Sequence, residues 1–372
     1  MSESEATVPP LKAEVVREFQ HSRPLTSCHW EPQSRFIFFG AEDNLVHRFE
    51  LATGAVVPLA LHDSWVRGFA SSPDGETLYT GGYDGRLVFW PAADEVLSPI
   101  HVIEGHEGWI RAVTASSCGR FVATCGNDRL VKLWDTADGR LLREYSGHQW
   151  HVYNLIFLPG SQQISESILS CDLKGVVRRN QLDSAESSEV ATVEQLHGYD
   201  TTFRADIGGA RGIAVHPDGN LVALGGITNV SNAFAGVGEI AIALVDPTTG
   251  VIERILESKE KTRGTIWGVA YHPSGYWIGV SGGGGGWLHA WSQQVPAEAE
   301  SEEESEDSQA ASDSSTDESG DATDADSSVT IQHEAVRVKL PQDGRGMSLS
   351  PDARQLAVAH ADRYLRLYQF SE

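Results

Sequence analysis

Two stretches of the sequence have the same layout: HDSWVRGFASSPDGETLYTGGYDGRLVFW at residues 62–90 and HEGWIRAVTASSCGRFVATCGNDRLVKLWD at residues 106–135. Histidine, tryptophan, arginine, aspartate and tryptophan recur in them at a common offset of 44 residues. A third stretch, HQWHVYNLIFLPG, begins at His148, 42 residues after His106. A period of about 40 to 45 residues is typical of one four-stranded blade of a β-propeller.

Short alternating or β-branched runs, separated by turns such as Pro73-Asp74-Gly75, continue along the rest of the chain. The first strands of seven such units begin near Leu25, Val66, Ile110, Val152, Gly212, Ile266 and Gly346. The seventh unit supplies only three strands, whereas EVVREF at residues 14–19 is a spare one. We therefore predict an all-β fold, a single seven-bladed propeller of four-stranded antiparallel blades, with the ring closed by the N-terminal strand. The propeller spans residues 12–372 and follows a flexible tail at residues 1–11.

These repeats resemble the WD-repeat family of β-propellers. The resemblance implies a structural hydrogen-bond tetrad of histidine, serine or threonine, aspartate and tryptophan in each regular blade. The matching residues are His62, Thr80, Asp84 and Trp90 in blade 2, and His106, Thr124, Asp128 and Trp134 in blade 3. The histidine, threonine and aspartate of such a set resemble a catalytic triad. Because the set recurs in two blades, a role in the fold is favoured.

Other blades keep only part of the tetrad. Blade 1 retains His21 and Asp43 but has Phe39 at the hydroxyl position. Blade 4 has His148 and Ser170, with Asp172 as a substitute acid. In blade 6 the aligned histidine and aspartate positions hold Thr262 and Gly285, so that both tetrad members are predicted to be missing together.

The family resemblance also implies that the loops before the first strands and the turns between second and third strands share one face. Arginine and aromatic side chains dominate the positions entering the first strands, and both types are enriched in binding hot spots. The candidate partner-binding residues at this mouth of the central channel are Trp65, Arg67, Trp109, Arg111, His151, Tyr153, Arg211, Trp267 and Arg345. In the alternative interpretation, the tryptophans pack between blades and the arginines are merely solvated.

Two insertions interrupt the period. In blade 5 the turn between second and third strands swells to ITNVSNAFAGVG, with Asn229, Asn232 and Phe234 as candidate contact groups or as part of a plain hairpin. In blade 6 a disordered acidic insertion is predicted at about 295–330, and residues 297–328 hold thirteen acidic and no basic residues. Four interpretations of this insertion are open: a solvated tether, a segment that attracts basic partners, a phosphorylation target or a weak calcium-binding segment.

Enzyme signals are sparse. Gly279-Val280-Ser281-Gly282-Gly283 matches the G-x-S-x-G nucleophile elbow, but WLHAW follows it as a strand, whereas an elbow requires a helix. No phosphate-binding loop and no metal-binding motif occurs, so we predict no catalytic residues, no cofactor and no metal. Four cysteines without C-x-x-C spacing are expected to be reduced and buried.

Composition limits the partners. The net charge is −24, or −11 without residues 297–328, which argues against nucleic acid because phosphate binding requires clustered basic residues. No apolar run suggests a signal peptide or a membrane span, and a cytoplasmic location is expected. We predict a non-enzymatic scaffold that binds a protein or peptide, including one with acidic groups. The alternatives are a hydrolase-class enzyme with a pocket at the mouth, and a sensor of basic partners that acts through the acidic insertion.

Overall fold

The computed structural model describes residues 11–94, 98–160, 166–232, 237–294 and 329–371. Seven sheets of four or five strands contain nearly all of the strands in these residues, and their pairing is antiparallel except for one added strand in one sheet. The first strand of each of these seven sheets lines a shared central channel. The prediction of a seven-bladed all-β propeller is therefore confirmed. Most of the predicted N-terminal tail and of the acidic insertion lies outside the described residues.

The first three blades follow the chain order without interruption. The strands of blade 1 are β2 (Leu25–Trp30), β3 (Phe36–Ala41), β4 (Val46–Glu50) and β5 (Val56–Leu59). Those of blade 2 are β6 (Val66–Ser71), β7 (Thr77–Gly82), β8 (Arg86–Pro91) and β9 (His101–Glu104). Those of blade 3 are β10 (Ile110–Ala115), β11 (Phe121–Gly126), β12 (Val131–Asp135) and β13 (Leu141–Tyr145).

The remaining blades carry the irregularities. Blade 4 consists of β14 (Val152–Leu158), β15 (Ser167–Asp172), β16 (Val176–Gln181) and β17 (Ser187–Thr192). A 3₁₀ turn (Glu194–Leu196) and a hairpin of β18 (His197–Asp200) and β19 (Ala205–Gly208) follow. Blade 5 contains β20 (Gly212–Val215), β21 (Val222–Asn232), β22 (Val237–Val245), β23 (Ile252–Glu257) and β27 (Thr330–His333). Blade 6 contains β24 (Thr265–His272), β25 (Tyr276–Gly282), β26 (Trp287–Ser292) and β28 (Val336–Lys339). Among the described residues, no helix is long and apolar enough to cross a membrane.

The ring is closed as the sequence predicts. Blade 7 combines β29 (Gly344–Leu349), β30 (Gln355–His360) and β31 (Tyr364–Ser371) with the N-terminal strand β1 (Lys12–Gln20). β1 pairs antiparallel with β31 along its whole length, from Lys12 opposite Ser371 to Gln20 opposite Tyr364. Because the last blade is completed by the first strand of the chain, the two ends of the ring hold each other.

Burial follows the position of a strand within its blade. The second strands β3 and β15 are buried at every residue, because both faces of a blade pack against neighbouring blades. The outermost strand β13 is largely accessible. The hydrophobic core is thus a ring of inter-blade clusters around the channel, which holds the inner strand ends in fixed positions.

Two elements were not predicted. β27 follows the acidic insertion but joins blade 5, where it pairs in parallel with β23. The β18–β19 hairpin lies in the connection between blades 4 and 5. Both are short and poor in alternating apolar residues, so the sequence carries little strand signal for them.

Candidate partner-binding site

β-bulges place the predicted side chains at the mouth of the channel. In six blades the register of the first strand skips one residue, and in five of these blades it is a residue predicted to lie at the mouth. The skipped residues are Thr26, Arg67, Arg111, Tyr153, Trp267 and Arg345. In blade 5, Arg211 directly precedes β20. A bulge turns one extra residue out of the hydrogen-bond ladder and re-aims its side chain, so one backbone device serves nearly every blade.

Small residues next to these bulges allow the inner strands to come close together. A Cβ atom at Gly268 would collide with the Met347 side chain of the adjacent blade, and one at Gly346 would meet the backbone of Ser27. The first strands therefore approach one another more closely than larger side chains would permit. This narrow packing brings the bulged residues of different blades within reach of each other.

The arginine and aromatic side chains of the mouth stack on one another. The Tyr153 ring contacts two guanidinium groups, with the Arg111 Cζ atom 4.4 Å and the Arg211 Cζ atom 4.2 Å from its centroid. Trp267 is likewise shared, with Arg67 at 4.6 Å and Arg211 at 5.4 Å. These cation–π contacts orient the guanidinium groups without neutralising their charge.

The positive charges of the mouth are only partly compensated. Arg345 forms an ion pair with Glu42 at 2.6 Å. Arg67 donates to the backbone oxygen of Arg345 at 2.8 Å, and Arg111 donates to the Asn127 side-chain oxygen at 2.7 Å. The Nε atom of Arg211 is buried and has no hydrogen-bond partner among the described residues. Burial and the neighbouring guanidinium groups lower the pKa of Arg67 and of Arg211. Three guanidinium groups thus meet here without a carboxylate partner in the described part of the chain.

The channel beside these arginines contains a cavity of about 260 Å³. Arg67, Arg111, Arg211 and Trp267 are among its lining residues, and none of the described residues that line it is an aspartate or glutamate. The volume is below the roughly 300 to 1,000 Å³ typical of sites for drug-sized ligands. A cavity of this size suits a single side chain or a small anion better than a whole cofactor.

Aromatic side chains form the outer rim of the mouth. Trp65 and Trp109 are 39% and 42% exposed. The Trp109 ring stacks flat on Tyr83, with centroids 4.2 Å apart, and the Arg111 guanidinium lies 4.7 Å from the Trp109 centroid. The Trp109 ring therefore packs on a neighbouring ring and still exposes part of its surface to solvent. His151 is exposed, and its Nδ1 atom lies 2.6 Å from the Asn127 backbone oxygen.

Two further groups at this face were missed in the sequence. Trp150 is 38% exposed, and the Lys174 ammonium lies 4.2 Å from its ring centroid. Over blade 5, the β18–β19 hairpin contacts the long strand β21 and exposes Tyr199 and Phe203. Of the residues predicted in the blade 5 turn, Asn229 donates to Glu239 at 3.1 Å, and Phe234 lies outside the described residues. Trp150 directly precedes the predicted residue His151, and this position in the sequence was the available signal for it.

The tetrad residues form closed hydrogen-bond chains inside blades 2 and 3. In blade 3, Trp134 Nε1 donates to the Thr124 hydroxyl at 2.9 Å, and His106 Nε2 lies 2.7 Å from the same hydroxyl. His106 Nδ1 lies 2.9 Å from the Asp128 carboxylate. Blade 2 repeats the arrangement at 2.9 to 3.1 Å with His62, Thr80, Asp84 and Trp90. Each buried donor of a tetrad has an acceptor within the same tetrad, as buried polar groups require in a stable fold.

Comparison with protein families selects the same two blades. Residues 56–91 and 97–135 match the family model described as WD domain, G-beta repeat. The chain is a β-propeller whose blades 2 and 3 match WD repeats. A comparison with curated protein sequences gives no match. Such propellers generally serve as scaffolds for protein interactions.

The less regular blades rebuild the hydrogen-bond chain with other residues. In blade 4, His148 lies 2.9 Å from both Ser170 and Asp172, and Asn180 donates to Ser170 at 3.0 Å in place of the tryptophan. In blade 7, the Tyr368 hydroxyl lies 3.2 Å from His360 Nε2. Burial lowers the pKa of His360 to about 4, so this imidazole is neutral at pH 7.

Blade 6 brings a different histidine to the hydroxyl position of the tetrad. Thr262 and Gly285 do occupy the aligned positions, but His289 Nε2, from the third strand, lies 3.3 Å from the Ser281 hydroxyl. Glu334 is the acid nearest to this histidine, with Oε1 3.9 Å from His289 Nδ1, which is beyond hydrogen-bond distance, and Nδ1 has no hydrogen-bond partner among the described residues. Burial alone would raise the pKa of Glu334, but the contact with His289 and hydrogen bonds from Lys259 N–H and the Ser258 hydroxyl lower it to about 2.

This serine, histidine and glutamate set resembles a hydrolase triad but is closed to substrate. Ser281 and His289 are both fully buried, and Ser281 is followed by the turn to strand β26. A nucleophile elbow instead exposes its serine on a turn into a helix. The set therefore belongs with the structural tetrads.

The cysteines need one correction. Cys28, Cys125 and Cys171 are buried and free, and burial raises the pKa of Cys28 and of Cys171 to about 12. Cys118, which was also expected to be buried, is exposed because it lies in the turn between β10 and β11.

Proposed function

We propose that the protein is a non-enzymatic scaffold that binds a protein or peptide at the mouth defined above. One observation carries the proposal: three guanidinium groups lie together without a carboxylate partner among the described residues. They belong to Arg67, Arg111 and Arg211. Holding like charges together at a partly buried site is unfavourable for the fold alone. An acidic group of a partner would relieve that cost on binding.

The shape of the mouth favours an extended or loop-like partner. The cavity admits about one side chain, while the exposed rings of Trp65 and Trp109 offer flat apolar surface beside it. An aspartate or glutamate side chain could enter between the arginines while the flanking residues pack on the rim. Because the blades hold these groups rigidly, little side-chain freedom would be lost on binding.

The test is capture of partners with a mouth variant and a matched control. We expect Arg67→Ala combined with Arg211→Ala to weaken partner binding at least about 100-fold, since truncation of buried hot-spot groups costs ~2 kcal/mol or more each. Affinity purification identifies the partner, and isothermal titration calorimetry with that partner measures the loss. The control, Arg140→Ala with Arg354→Ala, removes the same charge from two exposed arginines at the opposite ends of the strands. Equal binding by the two double variants would refute the proposed surface.

Two further variants separate the alternatives. Deletion of residues 297–328 is expected to leave partner binding intact, whereas loss of binding would assign the function to the acidic insertion. Ser281→Ala is expected to change no ester turnover, because the Ser281 hydroxyl is buried. Turnover that disappears in this variant alone would support the enzyme alternative instead.

A further inference from the structure

Three potential metal ligands lie close together at the junction between blade 7 and blade 1. His21 directly follows β1, Asp43 lies in the turn between β3 and β4, and His47 lies on β4. His21 Nε2 is 2.9 Å and His47 Nε2 is 3.0 Å from the same carboxylate oxygen, Asp43 Oδ2. The three ligand atoms all lie within 4.8 Å of one another. The second carboxylate oxygen of Asp43 accepts the Leu45 N–H at 3.1 Å, which fixes its orientation.

This cluster differs from the tetrads of blades 2 and 3 in two ways. In those blades the histidine faces the aspartate with Nδ1 and the threonine with Nε2. In blade 1, Phe39 replaces the threonine, and His21 turns Nε2 towards the aspartate. In addition, His47 occupies the position that holds Val88 in blade 2. Blade 1 therefore has a second imidazole aimed at the same carboxylate, which the structural tetrad does not need.

We propose that His21, Asp43 and His47 bind a divalent transition-metal ion of the zinc class. Two imidazoles and one carboxylate suit Zn²⁺, whereas Ca²⁺ and Mg²⁺ require more oxygen ligands. Zinc bonds of about 2.0 to 2.2 Å in tetrahedral geometry place ligand atoms roughly 3.3 to 3.6 Å apart, which is beyond the two separations of 2.9 and 3.0 Å. A small outward movement of the side chains would admit the ion.

The surroundings leave one side of the cluster open. The side chains of His21, Asp43 and His47 are 12%, 21% and 6% exposed, so that water can supply a fourth ligand. The Phe39 ring stacks on His47 and contacts His21 edge-on, which restricts both imidazoles. An ion held here connects the end of the closing strand β1 to blade 1. Metal binding would thus strengthen the seam of the ring.

The test compares zinc binding by the full chain and by two variants. His47→Val installs the residue that blade 2 carries at this position, and Asp43→Asn removes the charge while keeping an acceptor oxygen. We expect the wild-type protein to bind one Zn²⁺ in this site, as measured by competition with a chromophoric chelator. Both variants should weaken this binding at least about 100-fold, since even partners of metal ligands contribute 10- to 100-fold. The acidic residues 297–328 are present in all three proteins, so any ion that they collect cancels in the comparison.

A second readout is thermal unfolding. At free zinc about 100 times the dissociation constant, the unfolding midpoint of the wild-type protein should rise by about 3 °C and return on addition of chelator. His333→Ala, which removes an exposed histidine elsewhere, should keep this response. Failure of the wild-type protein to bind Zn²⁺, or equal affinity of the wild-type and both variants, would overturn the proposal.

Discussion

The tetrads of blades 2 and 3 and the mouth of the channel are both polar clusters built on strands, but their hydrogen bonding differs. In the tetrad of blade 3, the Trp134 indole, the His106 imidazole and the Asp128 carboxylate form one continuous chain through the Thr124 hydroxyl. At the mouth, Arg211 Nε has no partner among the described residues. In these tetrads every donor is paired internally and the cluster serves the fold, whereas the mouth has a guanidinium nitrogen without a partner and so has capacity left for a ligand.

The first prediction breaks a paired cluster. Thr124→Val keeps the side-chain shape but leaves the Trp134 Nε1 and His106 Nε2 atoms without their partner in a buried site. Each unsatisfied buried group costs about 1 to 3 kcal/mol, so we expect the free energy of unfolding to fall by about 3 kcal/mol. Urea unfolding measures this change. Thr192→Val, at an exposed site on β17, should change it by less than about 0.5 kcal/mol. A loss as small as that of the control would contradict the structural role.

The second prediction concerns the serine, histidine and glutamate set of blade 6. The pKa of Glu334 is lowered from 4.5 to about 2, so its ionised form stabilises the folded protein above about pH 4.5. This contribution is lost as the pH falls from about 4.5 towards 2. We expect Glu334→Gln to lower the free energy of unfolding at pH 7 by about 2 kcal/mol, which is less than the full pKa shift implies, because glutamine keeps one oxygen that can accept a hydrogen bond from Ser258 or Lys259.

The pH dependence sharpens this test. The difference in unfolding free energy between wild-type and Glu334→Gln proteins should shrink as the pH is lowered from about 4.5, because the wild-type carboxylate becomes protonated. Urea unfolding at several pH values between 2 and 7 provides the measurement. A difference that is the same at every pH would show that Glu334 acts by packing and not by charge.

The sequence predicted the period, the closure and the regular tetrads, because each depends on residue types at fixed spacing. It also aligned the residues of the mouth, such as Arg67 and Arg111, as one column. It did not reveal the bulges that direct them, because a bulge depends on the register between two strands. Nor did it pair Glu334 with His289, which lie 45 residues apart on either side of the acidic insertion. Contacts across an insertion leave no periodic signal.

The smallest predicted effect tests the central claim that the cations of the mouth do not serve the fold. Arg211→Met keeps an unbranched side chain of similar length and removes one of the uncompensated charges. We expect the free energy of unfolding in urea to stay the same or to rise by up to about 1 kcal/mol, because relief of charge repulsion and burial offsets the lost stacking on Tyr153 and Trp267. Arg140→Met, at an exposed site on the opposite face, is the matched control. A decrease of about 2 kcal/mol or more for Arg211→Met, comparable to the loss expected from a tetrad variant, would show that the mouth is structural and contradict the account.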